Sequence, residues 1–135
     1  MNQSKVKLIN ELQRKLLPDD VIMLTTIDLR GKPKSRPLQI LKIKEPQTLW
    51  FFSNEFIGQK NEISENPLVC LSYSNTFTHT YISIIGEAKI ANDTHKMEDL
   101  WNDKLIKWFP KSLLTPNLAL LKISIEEIEN WSSID

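Results

Sequence analysis

Glycine is scarce in this chain, with three residues in 135, at Gly31, Gly58 and Gly86. They stand too far apart to form a glycine-rich phosphate cradle or a dinucleotide fingerprint, so a bound phosphate would have to rely on side chains. Cysteine is scarcer still. Cys70 is alone, which excludes an internal disulfide framework and suits a reducing cytoplasm. With only His79 and His95 beside it, nitrogen and sulfur ligands are too few for a structural zinc site, and no metal is expected. An excess charge of either sign is also missing, because 17 Lys and Arg balance 17 Asp and Glu. No global field draws the chain to nucleic acid or to an anionic membrane. No apolar run nears the roughly 20 residues of a membrane span, and Met1 to Leu17 is charged throughout, unlike a signal peptide. There is no G-x-S-x-G elbow. A cytoplasmic protein is expected.

What is present is a hydrophobic content of 41% and a charged content of 25%, the balance of one globular domain over residues 1–135. Val6, Ile9, Leu12 and Leu16 recur at helical spacing and predict a helix over Ser4 to Leu17, stopped by Pro18. Val21 to Asp28 and Pro33 to Lys44 read as two strands of a hairpin around Gly31. Leu49 to Ser53 is a third strand, and Phe56 to Glu65 a short helix ended by Asn66-Pro67. Leu68 to Ser74, Tyr81 to Ala91 and Leu118 to Ile125 complete the strands. Between the last two, Asp93 or Thr94 caps a helix whose Met97, Leu100, Trp101, Leu105 and Trp108 make one apolar stripe. Six strands with flanking helices predict a mainly β fold, a small antiparallel barrel.

Two stretches could carry chemistry. Arg30, Lys32, Lys34 and Arg36 alternate and would share one side of an extended hairpin. That arrangement is commonly a solvated basic edge. Arg36 differs because Pro37-Leu38-Gln39-Ile40-Leu41 follows it, placing a guanidinium at the rim of an apolar strand, where it could meet a phosphate. In LWFFSNEFIGQK, Ser53 ends the most aromatic strand, a helix starting near Asn54 or Glu55 would offer free N–H groups, and Lys60 lies about a turn further on. If the hairpin neighbours this strand, Arg36, Ser53 and Lys60 converge on one anion; otherwise they form surface ion pairs. Trp50 and Phe52 point away from Leu49 and Phe51, so both faces need cover, whereas in a monomer only one would face the barrel.

Several motifs follow one another in order: G-x-P-x-S-R-P (Gly31 to Pro37), L-W-F-F-S (Leu49 to Ser53), Lys60, N-P-x-V-x-L-S-Y (Asn66 to Tyr73), Y-I-S-I-I-G-E-A (Tyr81 to Ala88), L-W…W-F-P (Leu100 to Pro110) and E-x-W (Glu129 to Trp131). Together the chain resembles the pyridoxamine 5'-phosphate oxidase-like superfamily, and within it the general stress protein 26-like flavoproteins. The resemblance implies a six-stranded antiparallel split β-barrel, a homodimer holding FMN at the subunit interface. It implies that Arg36, Ser53 and Lys60 hold the flavin phosphate, that Leu38 to Leu41, Gln39 among them, line the isoalloxazine with Pro37 also in the cofactor site, and that Phe52 lies beside the phosphate end. Gln59 stands where pyridoxamine phosphate oxidases carry a second basic residue, and Gly58 where relatives often have serine. Trp108 and Trp131 are implied near the flavin, with Trp101 and Phe109 as packing residues.

The resemblance further implies a flavin-dependent oxidoreductase acting on an unnamed small molecule, or else a non-catalytic flavin-binding stress protein. No catalytic acid or base sits in the matched motifs. His79 is either a surface residue or a proton donor near the flavin, and Cys70 an inert thiol. Genuine pyridoxamine phosphate oxidases carry a C-terminal extension with basic and histidine residues; the sequence ends at Asp135 without one, so that activity is not expected. Zero net charge argues against nucleic-acid binding through the basic hairpin.

Overall fold

A computed structural model describes residues 3–42 and 44–131. In chain order the elements are α1 (Gln3–Gln13), β1 (Val21–Ile27), β2 (Pro33–Gln39), β3 (Thr48–Ser53), α2 (Glu62–Glu65), β4 (Leu68–Asn75), β5 (Thr80–Ala91), α3 (Thr94–Leu100) and β6 (Ala119–Asn130). Two 3₁₀ turns, Asp103–Lys107 and Ser112–Leu114, lie between α3 and β6. The six strands form one antiparallel sheet in the order β2-β1-β4-β5-β6-β3. The sheet curls until its edges, β2 and β3, come near each other without pairing. The expected split barrel is what forms.

Period-two alternation decides which side chains fill the curl. Ile22 and Leu24 of β1, Val69, Leu71 and Tyr73 of β4, Ile82 and Ile84 of β5, and Leu121 and Ile123 of β6 are buried in one cluster. Ile9 and Leu16 bring α1 onto it. Gln13 pins that helix, since its Nε2 donates to the carbonyls of Glu45 (2.8 Å) and Thr48 (2.7 Å) at the start of β3. The β1–β2 turn forms around Gly31, at φ 84°, with Asp28 Oδ1 accepting from the N–H groups of Arg30 and Lys32 at 2.9 Å each.

Several boundaries differ from expectation. The first helix ends at Gln13 and the chain turns through Leu16 rather than staying helical to Leu17. β2 ends at Gln39, opposite the first residue of β1, and Ile40 instead exchanges backbone hydrogen bonds with Asp19 and Asp20 in the loop before β1. The predicted extension to Lys44 includes Ile43, which lies outside the described residues. The stripe after Asp93 is not one helix. α3 stops at Trp101, at ψ 140°, and Asn102 caps a separate 3₁₀ turn through its side chain. Met97, Leu100, Trp101, Leu105 and Trp108 still reach one cluster, with Leu41, Phe52, Phe109, Leu118 and Leu120.

That second cluster corrects another expectation. Trp50 and Phe52 do face away from Leu49 and Phe51, but the chain itself covers them. Trp101 meets Phe52 edge-on at 5.4 Å between ring centroids, and Phe109 lies 6.5 Å from Trp101. No partner subunit is needed over this side of β3. β6, for its part, runs past Ile125 to Asn130 and pairs with β5 as far as Ile82.

Candidate functional site

The split between β2 and β3 opens into a cavity of about 120 Å³. β2 supplies Pro37, Leu38 and Gln39, β3 supplies Phe52 and Ser53, the loop beyond adds Asn54 and Glu55, and the 3₁₀ region adds Leu105, Trp108 and Phe109. Six of the ten residues expected in the site therefore line one space: Pro37, Leu38, Gln39, Phe52, Ser53 and Trp108. The condition set by the sequence, that the hairpin come near the Leu49 strand, is met by curling of the sheet and not by strand pairing.

Trp108 is held in place as a wall. Its Nε1 donates to Gln39 Oε1 at 2.8 Å. Gln39 in turn donates from Nε2 to Asp19 Oδ1 at 3.4 Å, and Lys104 Nζ pairs with Asp19 Oδ2 at 2.8 Å. The indole is thus tied to β2, and β2 to the loop before β1.

Arg36 leaves the inner face of β2, opposite Leu24, and is 6% exposed. Nη2 donates to Thr26 Oγ1 at 2.9 Å and to Glu62 Oε1 at 3.0 Å, and the guanidinium carbon lies 5.1 Å from the Phe56 ring centroid. Nε is 3.5 Å from Glu55 Oε1 yet makes no hydrogen bond there, and Nη1 has no partner either. The Glu55 contact is therefore Coulombic attraction without donor alignment, and two buried donor nitrogens remain unsatisfied. Such groups call for an acceptor.

The helix expected at Asn54 does not form. Ser53 Oγ instead accepts the Glu55 N–H at 3.3 Å, and the next helix starts only after Asn61, whose side chain caps it reciprocally with Ser64. No helix dipole therefore points at Ser53. Lys60 is 76% exposed and pairs with Glu65 at 3.7 Å. Gln59 lies on a neighbouring groove with Phe56, Ile57 and Asn61. Trp131, just past β6, is exposed, with its backbone N–H bonded to the Tyr81 carbonyl. His79 sits at φ 53° in the exposed β4–β5 turn. Arg36, Gln59, Lys60 and Trp131 thus lie outside the cavity lining.

Glu55, Glu62 and Thr26 were not singled out from the sequence. Glu55 follows Ser53 by two residues, where the sequence suggests only a helix start. Thr26 and Glu62 are 36 positions apart, and Thr26 Oγ1 donates to Glu62 Oε1 at 2.6 Å only because α2 folds across β1. Among the described residues no cluster of His, Cys, Asp or Glu could hold a metal ion, and no helix is long and apolar enough to cross a membrane.

Residues 8–135 match the family model described as pyridoxamine 5'-phosphate oxidase like. General stress protein 26 of Bacillus subtilis is 31% identical over 102 residues, covering 73% of this chain and 71% of that protein. Among solved structures, a protein related to general stress protein 26 from Clostridium acetobutylicum superposes with a TM-score of 0.74 at 18% identity, covering 100% of this chain and 93% of the other. A general stress FMN/FAD binding protein from Xanthomonas citri superposes with a TM-score of 0.73 at 23% identity, covering 96% and 92%.

Proposed function

Because the chain belongs to the pyridoxamine 5'-phosphate oxidase-like family and is a homologue of general stress protein 26, we propose that it binds FMN at the β2–β3 split. The observation that carries this reading is the gathering of Pro37, Leu38, Gln39, Phe52, Ser53 and Trp108 around one cavity. The residues suit the group. Phe52 and Trp108 offer aromatic surface, Ser53 a hydroxyl, and Arg36 two buried donors without acceptors. Arg36, Ser53 and Lys60 would hold the phosphate, with Gln59 beside them. Pro37, Leu38 and Gln39 would line the ring system, Phe52 would lie beside the phosphate end, and Trp108 and Trp131 would shape the outer side. The bound flavin would supply hydride or electron exchange with a small molecule.

At about 120 Å³ the cavity is smaller than the roughly 300–1,000 Å³ of ordinary ligand sites. A second copy would complete it, making the site a homodimer interface. Support comes from the outer face of the sheet, where the register aligns Pro37, Met23, Ser72 and Ser83 across four strands, and Thr25, Cys70 and Ile85 beside them. None of these carries a charge, and Pro37 belongs to the cavity as well. The free thiol of Cys70 suits a cytoplasmic setting.

A second reading, a flavin-binding protein without turnover, is favoured by one feature. Among the described residues, Glu55 is the sole titratable side chain lining the cavity, so proton transfer from a tuned side chain has little to draw on. Visible absorbance of the protein after FMN addition and desalting tests the shared claim. Retained flavin is expected, and a colourless folded protein contradicts it. NADPH or NADH oxidation by the loaded protein then separates the oxidoreductase, which turns over, from the carrier, which does not.

A further inference from the structure

Arg36 faces two carboxylates that differ in how firmly they are held. Glu62 is 19% exposed and accepts from both Thr26 Oγ1 (2.6 Å) and Arg36 Nη2 (3.0 Å). Breaking that arrangement strands a buried hydroxyl and a buried guanidinium. Glu55 is 44% exposed, lies 3.5 Å from Arg36 Nε without a hydrogen bond, and also lines the cavity. It therefore stands between the cavity and the guanidinium, in a contact of the kind that contributes little and is lost easily.

We infer that Glu55 is a specificity-determining residue that occupies the place of an anion on Arg36, so that a phosphate monoester is held only after the Glu55 side chain swings out. The inference rests on the proposed phosphate site. Geometry makes the displacement one-sided. Arg36 is fixed by Thr26, Glu62 and the Phe56 ring, so the donors stay in position while the half-exposed carboxylate leaves. A dianion arriving beside Glu55 also meets like charge, which weakens its hold. The local balance points the same way, because Lys60 is already paired with Glu65. This chain would hold a phosphorylated ligand loosely and exchange it readily.

The Glu55→Gln variant keeps the backbone N–H that Ser53 accepts and removes the competing charge. Thermal unfolding is followed in sodium phosphate against sodium chloride at equal ionic strength, for the native protein, E55Q and the charge-conserving Glu55→Asp. The half-saturating phosphate concentration is expected to fall about fivefold in E55Q, the size of a weak ion pair without a hydrogen bond, and to stay near native in E55D. An unchanged or higher concentration in E55Q, or an equal fall in E55D, overturns the inference. FMN and riboflavin titrations provide the second arm. E55Q should tighten FMN about fivefold and leave riboflavin unchanged; equal tightening of both overturns the inference, since the effect then does not concern the phosphate. If neither flavin binds while the phosphate concentration still falls, the flavin reading is lost and the Glu55 inference stands.

Discussion

At Gly86 the backbone of β5 passes so near β6 that a Cβ would lie 2.6 Å from the Ser124 carbonyl oxygen and 2.7 Å from Ile123 Cγ2. The β5–β6 register shifts between Ile85 and Gly86, and the missing side chain lets the strands stay in contact through that bulge. Gly86→Ala must push β6 away, at a cost of about 1–3 kcal/mol in urea unfolding; an unchanged midpoint would contradict this close approach. Lys44 offers a test in pH. Burial holds its amine at about 8, down from 10.5, where it donates to the Leu16 carbonyl. Between those values the unfolded chain binds a proton that the folded chain does not, so stability rises with pH across that window. Tyr73, raised by burial and by Asp20, acts in the opposite sense only above its ordinary 10.0. Melting temperature should therefore climb from about pH 8 to pH 10, and Lys44→Met should lack that component.

Among the elements, alternation in β1, β4 and β5 was plain in the sequence because each strand buries one face in one cluster. Asp93 was legible as a cap because its side chain accepts the Lys96 N–H. What the sequence hid are the places where a segment leaves its regular element. Ile40 and Leu41 do so at the end of β2, and the Trp101–Asn102 break re-aims the stripe so that Trp108 reaches Gln39. Of the residues that line the cavity, Ser53 stands out from its strand end and Pro37, Leu38, Gln39 and Phe52 from the resemblance; Leu105 shows only as part of the apolar stripe, and Glu55 lies in a turn with no periodic signal. Because Asn102 accepts the Lys104 N–H at 3.0 Å, Asn102→Ala should destabilise by about 1 kcal/mol. It should also broaden the fluorescence response of Trp108 on ligand binding. A full-strength cap loss with no change at Trp108 would separate the turn from the cavity wall.

For the whole molecule, the curled sheet leaves one face filled by its own core and, on the other, a patch of Met23, Thr25, Cys70, Ser72 and Ile85 without charge, bordered on β6 by Glu127 and Glu129. Met23 is 38% exposed in a single chain. Met23→Glu should leave the fold intact, because the side chain lies outside the core, yet shift the protein toward monomer and weaken FMN retention together. Loss of retention in a variant that stays dimeric would sever the link between face and site. The most direct measurement is sedimentation of the native protein with FMN, followed at the flavin's visible band. The account predicts that the yellow boundary moves with the mass of two chains. A boundary that stays with the free small molecule while the folded protein sediments ahead of it would contradict the account.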